Sequence, residues 1–137
     1  MNAVLGVDPG RAKAGYAVVT AGGRALAQGV ELLEALVSRL EGVLTLHRVD
    51  AIALGSGTNS RLVRDLLERF DLPIHWVDEF ETSRTARSLY FTDHPPRGWK
   101  RLLPLGLQLP GRSVDDYAAI AIARRFLARG AGANSPS

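Results

Sequence analysis

Strand and helix signals follow one another in this chain in an order that few folds accept. Val4 to Val7 is a short apolar run ended by Asp8-Pro9-Gly10, a turn signal. Gly15 to Thr20 is a second run, Gly22-Gly23 reads as a hairpin turn, and Arg24 to Val30 returns as a third strand. Three antiparallel strands therefore open the protein. The period then changes. Leu32, Leu33, Leu36, Val37, Leu40, Val43 and Leu44 recur at three- and four-residue steps, the stripe of an amphipathic helix interrupted only by Gly42. Ala51 to Leu54 is a compact strand closed by Gly55-Ser56-Gly57. Asn59 or Ser60 caps a second helix that buries Leu62, Val63, Leu66, Leu67 and Phe70.

Pro73 to Asp78 reads as the fifth strand, and Thr82 or Ser83 caps a short helix reaching about Phe91. Residues 93–112 carry Pro95, Pro96, Pro104 and Pro110, so a long irregular connection is expected, of the kind that is usually functional or mobile. Val114 to Ala128 is the final helix, with Ala119, Ile120, Ala123, Phe126 and Leu127 on one side. The expectation is an α/β protein built on a mixed five-stranded sheet, three antiparallel strands followed by parallel ones, with helices on both faces. At 137 residues the chain holds one such domain, over 1–129, with 130–137 as a disordered tail. In open sheets of this kind the active crevice lies beyond the carboxyl ends of the parallel strands.

Composition narrows the chemistry. There is no cysteine, which excludes disulfides, thiolate zinc sites and a cysteine nucleophile. His47, His75 and His94 are too scattered to suggest a zinc site. No apolar run approaches the ~20 residues of a membrane span, and Asp8 and Pro9 come too early for a signal-peptide core. A cytoplasmic protein with no membrane partner is expected. Of 17 basic residues only Lys13 and Lys100 are lysine, against 14 acids, for a net charge of +3. Arginine's planar fork suits phosphate, although base composition of the genome enriches arginine as well.

The acids fall where this layout would converge. Asp8 ends the first strand, Asp78 and Glu79 end the fifth, and Asp115 and Asp116 open the last helix. Each has an ordinary reading: Asp8 starts a turn, Glu79 sits on a surface, and Asp115 and Asp116 complement a helix dipole. Carboxylates gathered at one rim nevertheless repel unless a cation neutralises them. Hard oxygen ligands suit magnesium or manganese. Two such ions can activate water and stabilise the leaving oxygen of a phosphodiester, with no histidine or serine base required.

Residues 82–114 supply the complementary charge. Arg84, Arg87, Arg97, Lys100, Arg101 and Arg112 stand against the single acid Asp93, a local balance of +5, and Tyr90, Phe91 and Trp99 lie among them. Basic residues interleaved with aromatics suit phosphate contacts and base stacking, or equally a solvated loop with aromatics tucked into a core. Gly10, Arg11 and Lys13 after Asp8 also fit an approach to phosphate. Gly55-Ser56-Gly57-Thr58-Asn59 before a helix is either an anion cradle or a plain turn and cap.

Three segments carry a resemblance. "VLGVDPGRAKAGYAVV" looks like the opening of the YqgF/RuvX family, "WVDEFETSRTAR" resembles its acidic segment, and "RSVDDYAAIAIARRFL" resembles its closing helix, all in family order. These proteins are described as Holliday-junction resolvases and pre-16S rRNA processing nucleases. The resemblance implies a ribonuclease-H-like fold, a divalent-metal-dependent endonuclease using Mg2+ or Mn2+, and metal ligands at Asp8, Glu79 and Asp115, with Asp116 a neighbour that substitutes for Asp115 or assists it. Phe80 replaces the family's arginine, and Gly55-Ser56-Gly57 replaces its Gly-x-Pro. The RuvC resolvases usually carry their second acid at the end of the fourth strand. Leu54-Gly55 offers none there, so YqgF/RuvX is the nearer match.

The expected substrate is structured nucleic acid, pre-16S rRNA or branched DNA, with Arg11, Lys13, Arg84, Arg87, Lys100, Arg101 and Arg112 on the backbone. A four-way-junction role adds a homodimer, since two coordinated cuts need two sites. Two other readings compete. One is a non-catalytic nucleic-acid-binding assembly factor of the same fold. The other is a nucleotide phosphotransferase, since Asp-x-Gly after a first strand also occurs in actin-like sugar kinases, which close two lobes around ATP.

Overall fold

A computed structural model describes residues 2–57, 59–78 and 115–133. Five strands form one sheet: β1 (Ala3–Pro9), β2 (Lys13–Thr20), β3 (Ala25–Leu32), β4 (Ala51–Gly55) and β5 (Ile74–Val77), in the order β3-β2-β1-β4-β5. β1 pairs antiparallel with β2, and β2 with β3; β1 and β4 are parallel, as are β4 and β5. Helix α1 (Leu33–Leu46) and helix α2 (Ser60–Leu67) make the crossovers, a single 3-10 turn follows α2 at Glu68–Phe70, and α3 (Asp115–Ala133) closes the described chain. This is the mixed sheet that the alternation of periods predicts. The short helix expected before Phe91 and the 93–112 connection lie outside the described residues. No helix among the described residues is long and apolar enough to cross a membrane.

β1 sits at the centre with helices on both sides, so it reads as a continuous apolar run rather than an alternating one. Ala3, Leu5 and Val7 face one core with Tyr16, Val18, Leu36, Leu40, Ile52, Leu54, Val63 and Leu67. Val4 faces the other, with Ala17, Val19, Ala53, Val77, Ala119, Ile122, Ala123 and Phe126. Gly6 stands beside Val4 on this second face, because successive side chains alternate. A Cβ there would lie 2.1 Å from the Ala119 carbonyl oxygen and 3.0 Å from the Ala123 Cβ, so α3 lies directly on the β1 backbone. Alanines at 118, 119, 121 and 123 allow that approach.

The helices differ from the expected stripes in instructive ways. In α1 only Leu36 and Leu40 are fully buried, and Leu32 ends β3 at 49% exposure. In α2, Val63 and Leu67 carry the contact while Leu62 is 49% exposed, because an eight-residue helix docks through two turns only. In α3 every residue from Asp116 to Ala123 is buried, so this half of the helix is enclosed on more than its sheet side. It also runs through Gly130 to Ala133, past the expected end at Ala128 and into the segment expected to be a tail.

Two glycines make opposite predictions about stability. Gly29 pairs with Tyr16, whose ring covers it, with the hydroxyl 2.6 Å from where a Cβ would stand. Gly42, in the exposed middle of α1, has nothing within 4 Å of that position. Gly42→Ala should therefore stabilise the protein by about 0.5–1 kcal/mol, through helix propensity and a less flexible unfolded chain. A urea melt with an unchanged slope and a higher midpoint is the expected result; a lower midpoint contradicts the open space at this position.

Candidate functional site

Parallel pairing brings the carboxyl ends of β1, β4 and β5 to one rim. Val7 registers with Leu54, Leu54 with Trp76, and Gly55 with Val77. Asp8 follows Val7 and Asp78 follows Val77, two strand spacings away, or roughly 10 Å across the sheet. Asp8 shares its face of β1 with Val4 and Gly6, so its carboxylate is on the α3 side, where it is half-buried. Asp78 is exposed.

The first residues of α3 meet the same face. Asp116 is 5% exposed and ties the helix to the sheet edge. Its Oδ2 accepts a hydrogen bond from the Gln28 side-chain amide at 3.2 Å, and its Oδ1 accepts from the Tyr117 backbone N–H at 3.1 Å. Gln28 pairs with Ala17, which pairs with Gly6, while Asp8 stands in the adjacent same-face row with Gly15 and Val30. A register shift at Val18/Val19 is what puts Gln28 on the α3 side together with Ala25. This contact is not legible in the sequence, because it spans 88 residues and depends on that bulge.

Asp116 thus has an anchoring task whatever else it does. Asp116→Ala would leave the buried Tyr117 N–H without this acceptor and remove the partly buried contact with Gln28, at a cost of about 1–3 kcal/mol. A thermal melt should show that loss, whereas Asp116→Asn, which keeps an acceptor oxygen, should recover most of it.

Asp115 opens α3 next to this anchor; its side chain is outside the description, as is all of Glu79. Among the described residues no group of three carboxylates or imidazoles comes together to hold a metal. The expected phosphate contacts Arg84, Arg87, Lys100, Arg101 and Arg112 also lie outside the described residues. Arg11 and Lys13 are exposed, in the β1–β2 turn and at the first position of β2.

That turn is tightly built. A Cβ on Gly10 would lie 2.5 Å from the Lys13 carbonyl oxygen, so only glycine fits without a shift. The Leu33 N–H donates to the Ala12 carbonyl at 3.0 Å, tying the turn to the start of α1. Asn59 ties it to α2: its side-chain Nδ2 donates to the Gly10 carbonyl at 3.1 Å and to the Arg11 carbonyl at 3.2 Å. Asn59 occupies the N-cap position but caps nothing with its side chain, and its φ of 65° is left-handed. Thr58, within the segment read as an anion cradle or as a plain turn and cap, lies outside the described residues. The Ser56 N–H donates to the Val77 carbonyl at 3.0 Å and the Ser60 N–H to the Gly57 carbonyl at 3.3 Å, so neither points at a free anion.

No protein-family model matches the chain, and no curated protein matches its sequence. Solved structures do match in three dimensions. Thermus thermophilus RuvC in complex with a Holliday junction substrate superposes with a TM-score of 0.61 at 18% identity, over 95% of this chain and 96% of that one. A second Thermus thermophilus RuvC structure gives a TM-score of 0.58 at 20% identity, over 93% and 96%. The fold is ribonuclease-H-like. The ribonuclease-H-like fold places Asp8 on its central strand and Asp115 and Asp116 at the first turn of its last described helix, on one face of the sheet.

Proposed function

We propose that the chain is a divalent-metal-dependent endonuclease that hydrolyses phosphodiester bonds in structured nucleic acid. The observation that carries this reading is the half-buried Asp8 carboxylate at the carboxyl end of the central strand, facing the helix that begins with Asp115. Asp8, Glu79 and Asp115 would hold Mg2+ or Mn2+, most simply as two ions. The donor set fits, since carboxylate oxygens are what hard cations select. Asp115 is preferred to Asp116 as the third ligand because both oxygens of Asp116 already accept hydrogen bonds within the protein. Bound there, the metal would supply an activated water and neutralise charge on the reacting phosphate.

The chain's own residues then have two tasks. The carboxylates set the position of the cations. Arg11 and Lys13, with Arg84, Arg87, Lys100, Arg101 and Arg112, hold the backbone phosphates, which positions the substrate without reading its sequence. Branched DNA is one substrate class, as the junction bound by the RuvC neighbour suggests; the 5′ end of pre-16S rRNA is the other, from the sequence resemblance. Junction cutting would require a symmetric pair of chains.

The test is a cleavage panel of single-stranded RNA, a structured rRNA-precursor mimic, single-stranded DNA and a four-way junction, each with EDTA, magnesium or manganese. Cutting that needs metal supports the nuclease, and the preferred substrate identifies the role. Tight binding with no cutting under any condition would overturn it in favour of the assembly factor.

A further inference from the structure

We propose that Asn59 is a positioning residue that presents Arg11, and with it Lys13, to a phosphate next to Asp8. The inference rests on the nucleic-acid reading above. It starts from a side chain at a helix N-cap that does not cap. Asparagine at this position normally bonds to an N–H of the first helical turn. Here both hydrogens of the Asn59 amide are directed away from α2, to two consecutive carbonyls of the β1–β2 turn, 48 and 49 residues earlier. The left-handed backbone at Asn59, which asparagine tolerates better than most residues, is what aims the amide there.

The two carbonyls belong to Gly10 and Arg11, the residues that carry the chain away from Asp8. The far side of the turn is held independently, by the Leu33 N–H on the Ala12 carbonyl. A three-residue connection held at each of its carbonyls cannot swing, yet the Arg11 and Lys13 side chains remain exposed. Two cations kept in place on a pinned backbone lose less freedom when they engage a phosphate. The substrate-binding end of the site is therefore braced from the N-cap position of α2.

Asparagine is specific for the task. Asn59→Asp is nearly isosteric and tolerates the left-handed backbone, but it replaces two donors with acceptors facing two carbonyl oxygens. Asn59→Gly keeps the backbone conformation at no strain and removes the clamp. The two variants separate the clamp from backbone effects.

The experiment is fluorescence anisotropy in EDTA, using a labelled four-way DNA junction and a labelled RNA hairpin, beside backbone 15N relaxation of residues 10–13. Wild type, Asn59→Asp, Asn59→Gly, Arg11→Ala and the double variants with Arg11→Ala are compared. Expected are lower order parameters across the turn in both Asn59 variants, and binding weaker by about five- to tenfold. Arg11→Ala should weaken wild type but add little in either Asn59 background, and the salt dependence of binding should flatten in the Asn59 variants as it does in Arg11→Ala. A purely structural role would lower Tm without that non-additivity. Unchanged order parameters, or fully additive losses, would overturn the proposal while leaving wild-type binding intact. Wild type that binds neither probe would instead strike the nucleic-acid reading itself, and this proposal with it.

Discussion

Gly6→Ala is expected to lower Tm by more than about 10 °C, or to leave no folded protein at all. The added methyl would meet the Ala119 carbonyl oxygen at 2.1 Å and the Ala123 Cβ at 3.0 Å. A flexible side chain could move aside, but this oxygen belongs to the backbone of α3. The whole helix would have to lift off β1, loosening its packing on Val4, Ala17, Val19 and Ala53. Overpacking of a core typically costs 1–3 kcal/mol and occasionally more; a contact this short against a rigid element belongs at or above the top of that range. At several degrees per kcal/mol for a chain of this size, the shift in a calorimetric scan is large. The site would follow the fold, because the same displacement pulls Asp116 away from Gln28. A Gly6→Ala protein melting within about 3 °C of wild type would show that α3 does not lie on β1 as described.

How far the sequence reveals this architecture depends on the range of the interactions involved. The strands and the helices α1 and α2 were legible because each rests on a local period: Val4 to Val7, Gly15 to Thr20 and Ala51 to Leu54 are short apolar runs between turn residues, and Leu36 and Leu40 are one helical turn apart. Asp8 was legible as a rim residue for the same reason, since it ends a run whose direction the βαβ crossovers fix. Gly6 was not. Inside Val-Leu-Gly-Val it reads as any strand glycine, and its partner is 113 residues away at Ala119. The role of Asn59 was half-legible: its place at the start of α2 follows from local pattern, but the carbonyls it meets belong to another turn. Asp115 and Asp116 are adjacent and chemically alike, and only the position of Gln28 tells them apart. The end of α3 lies beyond the expected Ala128 because isolated glycines cost a helix about 1 kcal/mol each without forbidding it, and good helix formers adjoin them, Arg129 and Ala131 at Gly130 and Ala131 and Ala133 at Gly132.

Asp8→Asn should reduce metal-dependent cleavage by more than about 100-fold while leaving nucleic-acid binding in EDTA close to wild type. Even partners that only orient a metal ligand are worth 10–100-fold, so loss of a ligand itself should exceed that range. The substitution preserves shape and removes one charge from a rim that also receives Asp78 and the start of α3. Without metal, that should relieve carboxylate repulsion at the rim. The measurement separating a ligand from a merely structural aspartate is therefore thermal. Mn2+ at about 100 times its Kd should stabilise the wild type by about 2.7 kcal/mol, by mass action on the folded state. The same addition should leave Asp8→Asn nearly unmoved. An Asp8→Asn protein that still gains stability from Mn2+, or still cuts in its presence, would remove Asp8 from the metal site, and with it the observation on which the nuclease assignment stands.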